Sequence, residues 1–416
     1  MAEKIWSMVK PWKAGALVLA TALLSAAVGL TLYMGGQTTF VGKLWTDAQS
    51  RNIPRELFDL ALRAIQSDSD VLDLARNQPE VIMSVEDYIK LRVTPTRIET
   101  GQQKIEEWKT SISGIEKKYG VPAQTLVAIW GIESNFGRTM GDRNVVGSLA
   151  TLSEGGYRTD YFREELLAAL EILRDGHIDQ SQMVGSWAGA MGQTQFMPSS
   201  YKAYAVDYDG DGRKDIWNSV PDSLASAANY LKQSGWSRSA DWGYEVKLPD
   251  RFDFGKAWKN KSIPLSEWAK MGIARIDGKP FPRPDETARF YLPSGGAGPA
   301  FLVMKNFDVI KRYNNSDSYA LAVAHLADRI GGGDEFVRNW PADAVPLSRA
   351  ERQELATLIA AQDFKLGKAN GHLTQTMRLA IIKFQKKEGL LPDGHPSQDL
   401  LQRLRSASSI ASGQRT

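Results

Sequence analysis

One carboxylate at the end of an apolar segment is the first feature of this chain that could do chemistry. Apolar and small residues lead directly into Glu133, and small and amide residues follow it. Pro122 suits the first turn of a helix, and Gly137 suits a helix end, because glycine tolerates a left-handed backbone. On such a helix Ile129, Glu133 and Phe136 share one face. An apolar face partly desolvates the carboxyl group, which raises its pKa and prepares a general acid for glycosidic-bond cleavage. A surface glutamate at a frayed helix end is the alternative interpretation.

A stretch rich in glycine and amides, from Ser186 to Gln195, follows some fifty residues later. Its Gly, Ala and Met residues let backbone segments pack closely, while Ser186, Gln193 and Gln195 supply uncharged donors and acceptors. A sugar with N-acetyl groups requires such neutral hydrogen bonds beside apolar or aromatic faces. A surface turn with exposed amides would have a similar composition, so this stretch alone does not decide between the two.

Together the two stretches resemble the lytic murein transglycosylase B family. The resemblance is carried by the segments 133–137, 185–201, 204–207, 313–316 and 319–323, and it covers roughly Phe58 to Ile330. Several separate motifs in the right order are far more specific than any one of them. The resemblance implies a mainly α (α+β) protein with a lysozyme-like helical catalytic domain. It also implies that Glu133 is the catalytic acid/base. The predicted substrate-binding residues are Ser134, Ser186, Gln193, Gln195, Tyr230, Tyr313, Asn314 and Tyr319.

The reaction that the resemblance implies needs one carboxylate, whereas ordinary glycosidases use two. Glu133 would protonate the oxygen that links N-acetylmuramic acid to N-acetylglucosamine, and the substrate's N-acetyl group would stabilise the cationic centre. Glu133 would then accept the proton of the muramic C6 hydroxyl, which closes onto C1 as a 1,6-anhydro ring without water. Two alternatives stay open. One is a lysozyme-like hydrolase with a second acid such as Asp142, and the other is a non-catalytic peptidoglycan-binding scaffold.

The segment from Asp207 to Asp215 has the spacing of a calcium-binding EF-hand loop. Oxygen ligands occupy positions 1, 3, 5 and 9, a glycine occupies position 6, and position 7 offers a backbone carbonyl. Position 12 is Asn218 rather than glutamate, and the longer loop of the resembled family makes Asp222 the predicted closing ligand. The predicted ligands are Asp207, Asp209, Asp211, Arg213 through its carbonyl, Asp215 and Asp222. Carboxylates and carbonyls favour a structural calcium ion over zinc, and an Asp/Gly turn without metal is the alternative. No cofactor is expected for catalysis.

Composition excludes several classes of protein. The chain has 416 residues, of which 43% are hydrophobic and 24% charged, as in globular proteins. Its net charge is +3, from 51 basic and 48 acidic residues, so nothing indicates a nucleic-acid partner. It contains no cysteine, which excludes disulfides, thiolate metal sites and the lipidated cysteine of a lipoprotein.

The N-terminal segment, residues 1–36, has the pattern of an export signal. Lys4, Lys10 and Lys13 precede an uncharged run from Ala14 to Met34 that is long enough to cross a bilayer. Small residues at 25–27 also suit a signal peptidase. A cleaved signal peptide and a retained inner-membrane anchor both remain open, and either one places the rest of the chain in the periplasm.

A change of pattern near Trp340 divides the remainder of the chain. We predict a catalytic domain over 37–340, a linker over 341–347, a three-helix peptidoglycan-binding domain over 348–405 and a disordered tail over 406–416. The C-terminal assignment rests on a resemblance carried by 384–385, 389–390 and 393–394, and a nondescript helical bundle would look similar. Glycan strands of peptidoglycan are the expected partner. The sequence leaves contacts with the cell-wall synthesis machinery open.

Overall fold

The computed structural model describes residues 40–63, 69–76, 83–156, 158–342, 345–362 and 373–413. The predicted targeting segment, 1–36, lies outside these residues. Within them, no helix has the length and apolar character that a bilayer crossing requires. The chain divides into two compact units. The first contains residues up to Arg76, Arg143–Met183 and Trp187–Gly189, and the second contains Asn77–Asp142, Val184–Ser186 and Ala190 onwards. The predicted catalytic domain is therefore split, and the C-terminal helices fall in the second unit.

The described chain is mainly helical with a small sheet, as predicted. The helices are α1 (40–50), α2 (Arg55–Arg63), α3 (Ser69–Arg76), α4 (Val85–Arg92), α5 (Pro95–Glu107), α6 (Lys109–Tyr119), α7 (Ala123–Ser134), α8 (Val145–Glu154), α9 (Thr159–Arg174), α10 (Pro198–Tyr204), α11 (Val220–Gln233), α12 (Phe254–Lys259), α13 (Leu265–Lys270), α14 (Lys305–Tyr313), α15 (Asp317–Ile330), α16 (Arg349–Ala360), α17 (Gln375–Lys387) and α18 (Gln398–Gly413). The strands are β1 (Arg143–Asn144), β2 (Val184–Gly185), β3 (Gly243–Lys247), β4 (Ile263–Pro264), β5 (Ala274–Arg275), β6 (Thr287–Tyr291) and β7 (Ala300–Val303).

In the first unit, the amphipathic helices α2 and α3 pack against the more apolar helices α8 and α9. Trp45 of α1 meets Phe58 of α2 edge to face, with ring centroids 5.1 Å apart. Arg51 and Glu164 form an ion pair of 2.6 Å that links the end of α1 to α9. The long apolar stripe of α9 explains the burial of this layer.

Helix α7 is the centre of the second unit. Ten of its twelve residues are buried, because its sequence is apolar or small on every side. It packs against α5, α11 and α15. Its end differs from the prediction, since Asn135 (φ 50°) takes the left-handed conformation and the helix stops before Gly137. Phe136 then folds back onto Trp130 edge to face at 5.6 Å. A Cβ atom at Gly131 would lie 2.8 Å from that Phe136 ring, so glycine is required there.

The sheet separates two cores of the second unit. Its strand order is β4-β6-β7-β3-β5, and neighbouring strands are antiparallel, with Tyr291 opposite Phe301 and Val246 opposite Ala300. All four residues of β7 are buried. Phe301 belongs to the core around α7, whereas Leu302 belongs to the core on the other face of the sheet. A strand covered on both faces has this continuous apolar run instead of alternation.

Three C-terminal helices, α16 to α18, share a core of their own that includes Leu355, Phe384 and Leu404. Ser348 begins α16 with a capping box, and the Thr374 hydroxyl caps α17. The prediction of a disordered tail over 406–416 differs from the structure, because α18 continues to Gly413. Its Ser and Ala residues carry no charge or breaker that would stop a helix already begun.

Candidate active site

Glu133 occupies the last turn of α7 and points toward α15. Its carboxylate accepts a hydrogen bond of 2.5 Å from the Tyr319 hydroxyl. Part of the residue surface is accessible, but the carboxyl group lies deep among protein atoms. This burial raises the pKa of Glu133 to about 7, while the Tyr319 hydrogen bond and the charge of Arg92 oppose the rise. The carboxyl group is therefore poised between its protonated and ionised forms near neutral pH, as a general acid requires.

Tyr319 supports the acid directly. The Ser316 hydroxyl caps α15 by accepting from the Tyr319 backbone N–H, which fixes the start of the helix. The Tyr319 side chain is 1% exposed. Burial, followed by the nearby Glu133 charge, raises the pKa of Tyr319 well above its ordinary value, so its hydroxyl remains a donor. We predicted this tyrosine as a glycan contact. The structure instead commits its hydroxyl to the carboxylate.

Tyr88 and Arg92 of α4 interact electrostatically with Glu133, and the sequence analysis did not single them out. The Arg92 guanidinium lies over the Tyr88 ring at 5.5 Å, and its charge lowers the pKa of Glu133. Burial raises the pKa of the Tyr88 hydroxyl, with Arg92 opposing and Glu133 adding to the effect. The only sequence signal was the spacing of four, which places the two side chains on one face of α4.

Ser134 and Gln193 are buried and tie the acid-bearing helix to the glycine-rich stretch. The Ser134 hydroxyl donates to the Gln193 carbonyl at 2.6 Å and accepts from the Gly137 N–H at 2.9 Å. The Gln193 amide donates to the Trp217 carbonyl at 3.0 Å. Ser134 is fully buried and Gln193 is 5% exposed. Both were predicted to contact substrate, but these side chains hold backbone segments together in the interior.

Ser186 and Gln195 lie in the same stretch and are partly exposed. The Ser186 hydroxyl accepts from the Ala190 N–H at 3.0 Å. Gln195 has a left-handed backbone (φ 51°), and its amide donates to the carbonyls of Met140 and Gly192, both at 2.9 Å. The glycine-rich stretch is therefore a series of tight turns held by its own polar side chains.

Tyr230 and Tyr313 form an aromatic cluster with Phe196 and Tyr204. The rings of Tyr230 and Tyr313 meet edge to face at 4.9 Å, and both lie within 6 Å of Phe196. The Tyr313 hydroxyl donates to the Thr194 carbonyl at 2.8 Å, and the Tyr230 hydroxyl donates to a carbonyl at the end of α14. Asn314 follows α14 with an exposed side chain. The structure thus brings together residues from α7, α11, α14 and α15 that are far apart in sequence.

The predicted calcium loop is assembled in part. Carboxylate oxygens of Asp207, Asp209 and Asp211 lie within 4.8 Å of one another. Asp207 accepts from the backbone N–H groups of Gly210 and Gly212, both of which have left-handed backbones. This folds the loop around the three carboxylates. The donor set is hard oxygen, which fits calcium.

Asp215 and Asp222 do not belong to that group of carboxylates. Asp215 is buried, and its oxygens accept from the Asn218 side chain and from two backbone N–H groups. Asp222 is fully buried and accepts from the N–H groups of Tyr208 and Asp215 at 2.7 and 2.9 Å. Asp222 therefore braces the loop from inside, and its role as the closing ligand stays a prediction. Arg213 donates its N–H to Asp211 at 2.8 Å.

Residues 36–328 match the family described as the transglycosylase SLT domain. The chain belongs to that family. The predicted resemblance and the enzyme class, a lytic transglycosylase, are thereby confirmed.

Similarity to individual proteins agrees with this family assignment. The chain is 35% identical over 249 residues to the membrane-bound lytic murein transglycosylase B of Escherichia coli K12. The aligned region spans 58% of this chain and 66% of the relative's length. The crystal structure of Pseudomonas aeruginosa SltB3 in complex with NAG-anhNAM-pentapeptide is similar with a TM-score of 0.84, at 44% identity over 88% of this chain and 98% of that one. Escherichia coli Slt35 in complex with calcium is similar with a TM-score of 0.59, at 31% identity over 71% of this chain and 92% of that one. These likenesses confirm the predicted lysozyme-like class of fold.

Proposed function

We propose that this chain cleaves the MurNAc–GlcNAc β-1,4 bond of peptidoglycan without water, leaving 1,6-anhydromuramic ends, with Glu133 as the single acid/base. The observation that carries the proposal is the environment of Glu133. Burial raises its pKa to about 7, and Tyr319 and Arg92 are the groups that oppose this. A carboxyl group with a pKa near the working pH serves equally well as proton donor and, afterwards, as proton acceptor.

In the first step the protonated Glu133 donates its proton to the glycosidic oxygen. The carboxylate that results is stabilised by the Tyr319 hydroxyl and by the positive charge of Arg92. In the second step the same carboxylate accepts the proton of the C6 hydroxyl, whose oxygen bonds to C1 and closes the anhydro ring. The proton lost by Glu133 in the first step returns in the second, so the enzyme ends each cycle unchanged.

A hydrolase with a second carboxylate is disfavoured by the surroundings of Glu133. Among the described residues, no carboxylate contributes to the shift of the Glu133 pKa. Two carboxyl groups that share one glycosidic site lie about 5–10 Å apart and interact electrostatically. Asp142, the second acid that the sequence left open, has an exposed side chain.

The predicted substrate-binding residues that keep exposed surface are assigned to the glycan groove. Ser186, Gln195, Tyr230, Tyr313 and Asn314 keep partly or fully exposed surface near the aromatic cluster, and we assign them to the glycan groove. Their rings and amides suit the faces and N-acetyl groups of the sugar. The Asp207 loop is proposed as a structural calcium site, consistent with the calcium complex of the Slt35 relative.

We also propose a cellular location for the protein and a role for its C-terminal helices. The basic and apolar residues of 1–36 would export the chain to the periplasm, with a cleaved signal and a retained anchor both open. The helices α16 to α18 are proposed as a peptidoglycan-binding domain. Strands of peptidoglycan are the substrate because the SltB3 relative is seen with NAG-anhNAM-pentapeptide.

A mass spectrum of purified peptidoglycan digested by the chain tests the reaction. Anhydro-muropeptides are expected from the wild type and from the control Asp142→Asn, and none from Glu133→Gln. Products with reducing ends, heavier by one water, would instead identify a hydrolase. Retention on the wall without release by any of the three proteins would identify a scaffold.

A further inference from the structure

The three C-terminal helices are fixed to the sheet region of the same unit through a set of close contacts. The Trp258 indole N–H donates to the Asp393 carbonyl at 2.7 Å, and the Arg378 guanidinium stacks on the same indole at 3.9 Å. The Gln375 side chain donates to the Trp258 carbonyl at 2.7 Å. Ile382 of α17 is 5% exposed and belongs to the core beneath the sheet. The module is therefore docked along α12.

Docking creates a cleft between α12 and α17 with a cavity of about 850 Å³. Two lysines of α12, Lys256 and Lys259, and two of α17, Lys383 and Lys386, line it. All four are exposed, and none forms an ion pair with any described residue. The acid in the lining, Asp253, is engaged as the cap of α12, where it accepts from the Lys256 N–H at 3.0 Å.

Helix ends alone do not account for this arrangement. Lysines in the last turn of a helix interact favourably with its dipole, which explains Lys256, Lys259 and Lys386 but not Lys383. It does not explain why two helices more than a hundred residues apart in sequence direct their lysines into one cavity. Unpaired like charges that share a cavity repel one another. A bound anion would remove that repulsion.

The anionic part of the proposed substrate is its peptide. The SltB3 relative is seen with disaccharides that carry a pentapeptide, and a peptide ends in a carboxylate, whereas the amide and hydroxyl groups of the sugars are neutral. Lysines act as separate point charges on flexible stems, so they can reach a peptide carboxylate from both sides of the cleft. The partly buried Leu379 and the buried Ile382 give the cleft an apolar floor for the alkyl parts of a peptide.

We infer that the cleft between α12 and α17 binds the carboxylates of a peptidoglycan stem peptide. It holds the polymer by its peptide, at a site separate from the one where Glu133 acts on the glycan. This inference rests on the proposed function for its choice of ligand. It differs from a freely tethered binding module, because the cleft exists only while α17 is docked on α12.

Binding of the isolated stem pentapeptide, without sugars, tests the inference by titration calorimetry. The double variant Lys259→Ala/Lys383→Ala removes one charge from each helix and is expected to weaken binding about tenfold, because each exposed charge pair contributes up to ~1 kcal/mol. Binding by the wild type should also weaken as salt is raised. The matched control is Lys387→Ala, on the same helix but outside the cleft lining, which should leave affinity unchanged.

Three results would overturn the inference: equal peptide binding by the double variant, equal binding of a peptide whose carboxylates are amidated, or lysine-dependent binding of phosphatidylglycerol vesicles with no binding of peptide. The proposed reaction is measured separately, on glycan strands stripped of peptide. The double variant should cleave these as the wild type does. If the wild type makes no anhydro product while peptide binding still depends on the lysines, the proposed reaction is wrong and the inference that the cleft binds peptide is kept.

Discussion

Replacing Tyr319 by phenylalanine isolates the hydrogen bond that tunes the acid. The ring stays in its buried position, and the 2.5 Å hydrogen bond to Glu133 disappears. That bond stabilises the ionised carboxylate and lowers the pKa of Glu133 from the value that burial alone would set. Its loss disfavours the carboxylate, so the pKa rises. Because the reaction requires a protonated acid, the alkaline limb of the pH–rate profile moves to higher pH.

The expected size of that move follows from the strength of a charged hydrogen bond. Such a bond contributes ~1.5–3 kcal/mol, whereas a bond to the neutral carboxyl group contributes ~0.5–1.5 kcal/mol. The difference is about 1.4 kcal/mol, which corresponds to a rise of about 1 pH unit. The wild-type limb should lie at about pH 7, because burial raises the pKa of Glu133 to about 7. Below the limb the variant also loses rate, because its carboxylate is a less stable product of the first step.

Release of soluble muropeptides from purified peptidoglycan, measured from pH 5 to 9, gives the profile. The matched control is Tyr313→Phe, whose hydroxyl bonds to the Thr194 carbonyl instead of the acid. It is expected to change KM and to leave the alkaline limb in place. If the alkaline limb of the Tyr319→Phe profile lies at the same pH as that of the wild type, or at a lower pH, the role given to this hydrogen bond is refuted. A wild-type profile flat from pH 6 to 8 would refute the raised pKa of Glu133 itself.

Other predictions concern the supports of the site. Ser134→Ala removes the hydrogen-bond donor of the Gln193 carbonyl and should lower the free energy of unfolding by ~1–3 kcal/mol, as measured by thermal melts. The control Ser186→Ala should raise KM for peptidoglycan with little loss of stability. Crowding by neighbouring atoms raises the pKa of Asp328 to about 6, so folding stability falls as pH rises from about 4 to 6. The residue keeps exposed surface, and solvent screening limits the effect, so Asp328→Asn should be more stable by less than ~1 kcal/mol at pH 7.5 and show no advantage at pH 4. Calcium at a hundredfold excess over its Kd should stabilise the wild type by ~2.7 kcal/mol, an effect that Asp209→Asn should largely lose; equal gains in both proteins would disprove the loop site.

Local chemistry made part of this structure predictable. The uniformly apolar run before Glu133 indicated a buried helix with one acid, and α7 is that helix. The spacing of the acidic residues, with Gly212 at a position of positive φ, made the loop of Asp207, Asp209 and Asp211 recognisable from the sequence. In each case the signal and the structure lie within a dozen residues of one another.

Long-range contacts escaped prediction for the same reason. Arg92 and Tyr88 reach Glu133 only because α4 and α7 both pack against α15. The sequence of α4 gives no sign of that arrangement. The end of α7 was misplaced because Gly137 is the expected left-handed residue, whereas Asn135 and Phe136 take that conformation first. Packing of the Phe136 ring in the gap above Gly131 outweighs the local preference.

Backbone strain next to the acid connects the fold to the proposed reaction. Asn135, Phe136 and Gln195 all have left-handed backbones without being glycine, and each such residue costs of order 1–3 kcal/mol. The cost is greatest for the bulky Phe136, and it persists because the ring is 6% exposed against Trp130. The turn that follows Glu133 is held in one conformation by these contacts and by the Ser134 hydrogen bonds. A carboxyl group that must first give and then accept a proton at two different oxygens benefits from such a fixed position, because neither step then has to reorganise the chain around it.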